Sequence, residues 1–416
     1  MELITILNRC YRHKHFVYDN AHFSPVAENE IEVKIIPRKN SKALCSKCCQ
    51  PAPGYDHLPE RRFEFIPFWG FMIFLLYAKR RVNCKDCGVV AEKVPWSDGK
   101  NHLTLVYMQH LAHWAKKLSW KEVAISFKTS WEKVFKSVEY VVSWGLEKRE
   151  LNDITAIGVD EVQWHKGHKY LTLVYQINAG SVRLLWIGKE RTEKTFSEFF
   201  DFLGEKRTKL LQFVCSDMWK PYLKMIKEKA PDALNILDRF HIVARLNKAL
   251  DEVRAQEHRQ LKEDCFEPVL TKSRWLLLKR QENLTENQSV KLSELLKYNL
   301  KSVRGYLLKE DFQQFWNYSS PLWAGKFLDL WTTKVMRSQI EPLKKQAKSL
   351  RNHKELILNW FRAKKMFSSG IVEGLNTKVK LTVRKSYGFR TFKCTEIALY
   401  HTLGKLPEPK LTHEFY

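Results

Sequence analysis

Residues 154–165 read ITAIGVDEVQWH, and this stretch begins the part of the chain whose pattern decides the fold. It is rich in apolar and β-branched residues, as core strands are. Two more strand-like runs follow closely, KYLTLVYQINA at residues 169–179 and SVRLLWIGKER at residues 181–191. Because only short turns separate the three runs, they predict an antiparallel meander.

Beyond the meander, helical and strand-like segments alternate. The strand-like runs are LLQFVCSD at residues 210–217 and ALNILDRFHI at residues 233–242. Helical patterns surround these runs at residues 193–206, 218–230 and 243–255. Three antiparallel strands followed by alternating helices and strands is the plan of a ribonuclease H-like fold within a multidomain α/β protein. In that plan the first and fourth strands are neighbours, so we expect Asp160 and Asp217 to lie side by side.

Three acidic residues in this region predict a divalent-metal site. Asp160 and Asp217 end strand-like runs, and Glu373 begins a long basic helical segment that continues to residue 385. A single Asp after a strand is usually a turn or a helix cap. Phosphodiester chemistry with two metal ions, however, needs carboxylates from separate elements that converge on one point. We therefore expect these three acids to be catalytic and to hold two Mg²⁺ or Mn²⁺ ions.

The stretch 252–361 interrupts the alternation. Its pattern is helical with few strand signals, which predicts an all-α insertion between the last strand and the helix of Glu373. Tryptophan residues recur there among basic side chains, at Trp275, Trp316, Trp323, Trp331 and Trp360. Aromatic residues at helical spacing are usually core, although one or two of these rings are candidates for stacking on an unpaired base.

Four of the nine cysteines form two CxxC pairs, at Cys45, Cys48, Cys84 and Cys87. Two such knuckles can complete a tetrahedral zinc site, and the residues between them read as a β-hairpin. A redox CxxC or a chance pairing is the alternative. We predict a structural zinc ribbon with one Zn²⁺ at residues 38–98, within an N-terminal region that covers residues 1–98. Cys49 and His57 remain alternative ligands.

Between residues 103 and 146 the apolar period changes from two to about 3.6, the period of a helix. Helical segments at residues 105–118, 119–127 and 130–146 are separated by short breaks, and Ser119 with Glu122 fits a capping box. The arrangement predicts a helix-turn-helix DNA-binding domain at residues 99–150, with a small helical linker bundle as the alternative. The residues placed at the DNA groove are Thr129, Ser130, Trp131 and Lys133.

The charge balance points to a polyanionic partner. The chain has 71 Lys and Arg against 46 Asp and Glu, a net charge of +25, so nucleic acid is the expected partner. The sequence shows no uninterrupted long apolar span and no signal-peptide pattern. We therefore expect a cytoplasmic protein that does not associate with membranes.

The order of these motifs resembles that of the DDE transposases of bacterial insertion sequences, in the subfamily with a zinc ribbon and a helical insertion. The resemblance covers about residues 40–404. Its motifs are GVDE at Asp160, SDM at Asp217, LDRFH at Asp238 and VEGxNxxxK at Glu373. On that resemblance, Asp160, Asp217 and Glu373 match the metal-binding triad of the family. Asp238 is interpreted as a turn residue or as a residue that supports the ligands. His241 is either close to the site or, in the favoured interpretation, caps the last strand.

The resemblance implies a transposase that binds the terminal inverted repeats of its element, cuts the DNA ends and joins the freed 3′ hydroxyls to a target. The implied catalytic domain comprises residues 151–251 and 362–405, with the helical insertion at 252–361. Basic residues on or just after the Glu373 helix would contact phosphates near the cut, namely Lys378, Lys380, Arg384 and Lys385.

The implied partner is double-stranded DNA, both inverted repeats and target, bound by a homodimer or higher oligomer at the bacterial nucleoid. Two alternatives remain on the sequence alone. One is a structure-selective nuclease on the same fold. The other is a domesticated, non-catalytic zinc-dependent DNA-binding protein.

Overall fold

The computed structural model describes residues 2–165, 167, 169–266, 269–366, 370–386 and 388–409. The chain divides into two compact units. Unit 1 comprises Met1–Glu150 and Leu381–Tyr416, and unit 2 comprises Leu151–Lys380. This division differs from the predicted boundary, which assigned residues 362–405 as one piece to the catalytic domain.

The N-terminal part of unit 1 consists mainly of β-structure. Its elements are α1 Leu3–Cys10, β1 Phe16–Phe23, β2 Glu30–Pro37, β3 Gly54–His57, β4 Arg61–Phe68, β5 Phe71–Tyr77, β6 Arg80–Cys84 and β7 Gly88–Ala91. One sheet has the order β1-β2-β5-β4, and a smaller sheet has the order β3-β6-β7. The larger sheet buries Val33, Phe63 and Leu75 completely, together with the ring of Trp96. The smaller sheet carries Cys84 at the end of β6.

Three helices follow, as the apolar period predicts: α2 Leu105–Lys117, α3 Trp120–Ser126 and α4 Trp131–Lys148. Each begins after a hydroxyl residue that accepts a hydrogen bond from a backbone N–H of the first turn. The predicted capping box is confirmed, because the Ser119 side chain accepts from Glu122 N while the Glu122 carboxylate accepts from Ser119 N.

Unit 2 begins with a mixed sheet and its helices. The elements are β8 Ala156–His165, β9 Lys169–Asn178, β10 Ser181–Lys189, α5 Glu193–Leu203, α6 Glu205–Thr208, β11 Phe213–Ser216, α7 Lys220–Lys229, β12 Leu234–Leu237 and α8 Arg239–Glu263. The sheet order is β10-β9-β8-β11-β12. The first three strands are antiparallel neighbours, and β11 is parallel to both β8 and β12. The expected pairing of the first and fourth strands is therefore confirmed.

The last strand is shorter than predicted. It ends at Leu237, and α8 begins at Arg239, whereas the sequence pattern extended the strand to Ile242. The reason is Asp238, whose side chain accepts a hydrogen bond from Phe240 N at 2.7 Å and so caps the helix. The predicted start of the insertion at residue 252 also falls inside this continuous helix of 25 residues.

The rest of unit 2 is helical. Its α-helices are α9 Arg274–Leu278, α10 Glu286–Leu295, α11 Lys301–Gln313, α12 Pro321–Arg337, α13 Glu341–Asn352, α14 Lys354–Arg362 and α15 Gly370–Lys385. Short 3₁₀ turns cover Gln281–Asn283 and Gln314–Asn317. Trp316, Trp331 and Trp360 are buried in one core cluster, which also contains Ile236 and Leu237 of the sheet. Trp275 and Trp323 are exposed.

The chain returns to unit 1 within α15 and ends its described part after α16, Phe392–Leu403. Helix α16 packs on α4. The segment that follows α16 also approaches α4 at Gly145, where a Cβ would lie 2.7 Å from Leu406 Cβ and from Pro407 O. Among the described residues, no helix combines the length and the apolarity that crossing a bilayer requires.

Candidate active site

Two of the predicted acids lie at equivalent levels of neighbouring parallel strands. Cys215 of β11 pairs with Gly158 of β8, and each acid stands two residues farther along its chain. Asp217 follows the end of β11, and Asp160 lies within β8, which continues beyond it. Because side chains of paired strands at the same level are adjacent, the sheet brings Asp160 and Asp217 together.

Asp217 is buried in a positively charged setting. Its Oδ1 accepts a hydrogen bond from Trp219 N at 2.5 Å, which fixes the carboxylate at the start of the following turn. Arg191 Nη2 lies 3.7 Å from Asp217 Oδ2, and Arg245 Nη2 lies 4.0 Å from the same atom. The Arg191 guanidinium also stacks on the Trp219 ring, 4.3 Å from its centroid. Two arginines thus partly neutralise one carboxylate oxygen.

Asp160 is oriented by hydrogen bonds to both oxygens. Its Oδ1 accepts from Glu161 N at 2.8 Å, and its Oδ2 accepts from Asn376 Nδ2 at 2.5 Å. The Asn376 amide is itself held by Tyr175, whose hydroxyl donates to Asn376 Oδ1 at 2.7 Å. Tyr175 is completely buried, and burial raises its pKa well above the ordinary value, so the hydroxyl stays protonated and remains a donor.

Helix α15 carries the third acid. Val372 packs against β8, where a Cβ at Gly158 would lie 2.6 Å from Val372 Cγ2. Glu373 is exposed and stands three residues before Asn376, so the two side chains emerge on neighbouring positions of one helix face. The helix of Glu373 is therefore docked on the strand of Asp160.

The three acids are not gathered as tightly as metal ligands. In the part of the chain that the structure describes, only the CxxC cysteines bring three or more ligand atoms of His, Cys, Asp or Glu within 4.8 Å of one another. The oxygens of Asp160, Asp217 and Glu373 are thus farther apart than in a closed ligand set.

His241 lies close to this site, as one of its two interpretations expected, and does not cap the last strand, which corrects the favoured one. It lies in the first turn of α8, with Nε2 3.8 Å from Asp160 Oδ1 and 3.9 Å from Asp238 Oδ2. The interaction with Asp160 raises the pKa of His241 to about 9. The imidazole is therefore a cation at neutral pH and faces both carboxylates. Asp238 keeps a structural role as the cap of α8.

Several site residues were missed by reasoning from the sequence. Glu161 has a side chain that is 8% exposed, and its Oε1 lies 2.6 Å from Arg191 Nε. Burial raises the pKa of Glu161 to about 7. A signal was available for Asn376, which follows Glu373 by one helical turn, and for Arg245, which follows His241 by four residues. Arg191 lies beyond the end of its strand, and no local pattern marks it.

The four CxxC cysteines form the second candidate site, in unit 1. All four Sγ atoms lie within 4.8 Å of one another, and Cys48 Sγ is 3.6 Å from Cys84 Sγ. A hydrogen bond from the backbone N–H of Cys48 lowers the pKa of Cys45 to about 7, which favours the thiolate that zinc binds. Neither predicted alternative ligand, Cys49 or His57, belongs to the cluster. Cys49 is exposed and accepts a hydrogen bond from Lys93 Nζ at 3.2 Å.

Ser130, Trp131 and Lys133, three of the four residues predicted to contact DNA at the start of α4, have partners within the protein. Ser130 caps α4 by accepting from Lys133 N at 3.3 Å, and Lys133 Nζ forms an ion pair with Glu64. Trp131 is 43% exposed and stacks on Phe135 at 5.7 Å. Thr129 is half-buried.

The basic residues predicted on the Glu373 helix differ in setting. Lys378, Lys380 and Arg384 are exposed. Lys385 Nζ donates to Lys116 O at 3.3 Å, and desolvation lowers its pKa. Lys378 and Lys380 belong to unit 2, whereas Arg384 and Lys385 belong to unit 1.

Comparison with known proteins identifies the family. A family model described as Transposase matches residues 157–399. The transposase for insertion sequence element IS1001 of Bordetella parapertussis is 28% identical over 350 residues, covering 83% of this chain and 85% of that protein. The transposase for insertion sequence element IS1557 of Mycobacterium tuberculosis (strain CDC 1551 / Oshkosh) is 28% identical over 389 residues, covering 86% of this chain and 85% of that protein. The chain belongs to the DDE transposases of insertion sequence elements.

Proposed function

We propose that the protein is an active transposase that binds the terminal inverted repeats of its element, cleaves the DNA ends and joins them to target DNA. The observation that carries the proposal is the docking of α15 on β8 through Asn376 and Asp160, which brings the helix of Glu373 to the strand pair of Asp160 and Asp217. Three carboxylates from three separate elements are what two-metal phosphodiester chemistry requires.

The sheet supports a ribonuclease H-like catalytic core. An antiparallel meander followed by two parallel strands, in the order β10-β9-β8-β11-β12, matches the plan expected for that fold. The helices from α9 to α14 would then be the all-α insertion. In unit 1, the cysteine cluster supports a zinc ribbon, and α3 with α4 supports a helix-turn-helix.

The donor set fits Mg²⁺ or Mn²⁺, which prefer carboxylate oxygens. Asp160, Asp217 and Glu373 would hold two such ions in our proposal. Bound there, the ions would supply Lewis-acid stabilisation of the charge that develops on the attacking and leaving oxygens. Asn376 would keep Asp160 in one orientation. Arg191, Arg245 and His241 would place positive charge close to the carboxylates, where a scissile phosphate also needs it.

Unit 1 would recognise the DNA ends. Near the cut, backbone phosphates would be contacted by the exposed side chains of Lys378, Lys380 and Arg384. The net charge of +25 favours such phosphate contacts. We also propose binding as a homodimer or higher oligomer, since two ends of one element are processed. Lys133 and Lys385 would have to exchange their present partners to reach a phosphate.

The test is a set of isosteric substitutions assayed for binding and for cleavage. Glu373→Gln, Asp160→Asn and Asp217→Asn remove charge but little volume, so gel-shift binding to end-bearing duplexes should persist. Strand cleavage and strand transfer in Mg²⁺ should be nearly abolished in all three. Wild-type protein that binds the ends without cutting would favour the non-catalytic regulator. Cleavage that ignores the inverted repeats would favour the structure-selective nuclease.

A further inference from the structure

A second cleft lies beside the catalytic acids, along a different face of α8. The face with His241 and Arg245 approaches Asp160 and Asp217. Side chains between Phe240 and Asn247 that lie on another face of α8 line a cleft of about 450 Å³. Helix α11 and the 3₁₀ turns form the rest of its wall. This volume lies within the range of pockets that hold a small organic ligand and is too small for a DNA duplex.

Arg239 connects the cleft to the acids. It lines the cleft and also lines the small cavity bounded by Asp217, Asp238 and His241. The two faces belong to one helix whose diameter is about 10 Å. A strand whose phosphate lies at the acids can therefore place a neighbouring nucleotide in the cleft.

The chemistry of the cleft suits a nucleobase. Asn247, Gln281 and Gln313 line it, and Asn247 Oδ1 is buried without a hydrogen-bond partner among the described residues. Amides carry both donors and acceptors and pair well with base edges. Phe240 is 39% exposed and offers a ring face for stacking. The Trp316 indole N–H, in a residue that is 9% exposed, has no acceptor among the described residues.

Of the charged side chains that line the cleft, Arg239 is the cation available to bind a phosphate. Arg280 pairs with Glu282 at 3.3 Å, and Lys309 pairs with Glu310 at 2.5 Å. Arg239 forms no ion pair with any residue that the structure describes, and its guanidinium lies over the Phe240 ring at 5.5 Å. A nucleotide with its base on Phe240 would therefore bring its phosphate to Arg239.

We propose that this cleft binds one unpaired nucleotide of the DNA strand next to the cleaved phosphate, with the base stacked on Phe240 and its edge read by the amides. The inference rests on the proposed function, because it needs a DNA strand at the acids. It adds a recognition site in the helical part of unit 2, separate from the end recognition proposed for unit 1.

Photo-crosslinking with the full-length protein tests the proposal. 5-Iodouracil is placed at each position within several nucleotides of the cut, which is mapped first with wild-type protein in Mg²⁺. Complexes are then irradiated without divalent metal. One position should crosslink to Phe240. The crosslink should be lost in Phe240→Ala and kept in Phe240→Tyr, and end affinity should fall about fivefold or more in Phe240→Ala.

Trp323→Ala is the matched control, because Trp323 is 56% exposed on α12 and does not line the cleft. It should leave the crosslink and the affinity unchanged. Wild-type protein that cuts at the ends but gives no crosslink to the cleft would overturn this inference and leave the proposed function standing. Protein that neither binds the ends nor cuts would overturn both. A crosslink that persists in Phe240→Ala would overturn the stacking site.

Discussion

Asn376 of helix α15 donates a hydrogen bond from Nδ2 to Asp160 Oδ2 at 2.5 Å. The amide cannot rotate freely, because the Tyr175 hydroxyl occupies its oxygen. The buried Asn376 side chain therefore sets the orientation of Asp160. The same hydrogen bond holds the helix of Glu373 against the strand of Asp160.

Replacing Asn376 by Ala should lower the cleavage rate about tenfold to a hundredfold, as loss of a hydrogen-bond partner of a metal ligand typically does. The Mn²⁺ concentration needed for half-maximal activity should rise as well. Tyr175→Phe should have a smaller effect in the same direction. Asn359→Ala is the control, since Asn359 is also buried but donates to a backbone oxygen, Asn235 O at 2.7 Å, and not to one of the three acids. An equal rise in Mn²⁺ requirement for Asn359→Ala would contradict the positioning role.

The Asp238 side chain should stabilise the protein as a helix cap, whereas its negative charge should contribute little to cleavage. Asn is as good a helix cap as Asp, so Asp238→Asn should unfold at nearly the wild-type temperature and retain most of the cleavage activity. Asp238→Ala should lose about 1 kcal/mol of stability, because Phe240 N loses its acceptor. Chemical denaturation of both variants measures the difference. Loss of cleavage in Asp238→Asn with unchanged stability would instead make Asp238 part of the metal site.

Zinc should be required by unit 1 and not by the cleavage chemistry. We expect one zinc per chain in elemental analysis, lost in Cys84→Ser together with thermal stability and end binding. Cys49→Ser is the matched control, because Cys49 lies beside the cluster but outside it. Zinc content that fell equally in Cys49→Ser would show that the ligand set is different.

Acid should destabilise unit 1 through His401. Burial lowers the pKa of His401 to about 3, and nearby Lys116, His113 and Lys385 act in the same direction. In the unfolded chain the pKa is about 6.5, so the unfolded state takes up the proton first. The contribution of the neutral, buried His401 to the free energy of unfolding is complete above pH 6.5. It is lost as the pH falls towards 3.

At pH 5 this loss should reach about 2 kcal/mol for His401 alone. His401→Gln cannot be protonated, so its unfolding free energy should fall less between pH 7 and pH 5 than that of wild type. Burial also lowers the pKa of His13 and His110 to about 4, so the variant should keep part of the slope. Identical slopes for the two proteins in urea unfolding would refute the assignment to His401.

The sheet could be predicted from the sequence because its signals are local. Apolar runs with short turns specify the meander, and a strand that follows a helix specifies the parallel addition. Those rules suffice to place Asp160 beside Asp217. The end of β12 was missed because Asp238 and the next four residues fit a strand and a capped helix equally well.

The remainder of the site depends on contacts between distant parts of the chain. Asn376 meets Asp160 across 216 positions, and Arg191 meets Glu161 only after the meander has folded. The return of the chain to unit 1 after Lys380 was also unpredictable, since α16 is recognised as part of that unit only by its packing on α4.

That return has a consequence for synthesis on the ribosome. Domains usually fold in the order in which they emerge. Unit 2 is one continuous stretch, whereas unit 1 must wait for the segment after Lys380 before α16 can cover α4. The proposed catalytic unit is therefore complete while the nascent chain still lacks part of its proposed recognition unit. A message broken near its 3′ end would yield a protein with its acids intact and α4 uncovered.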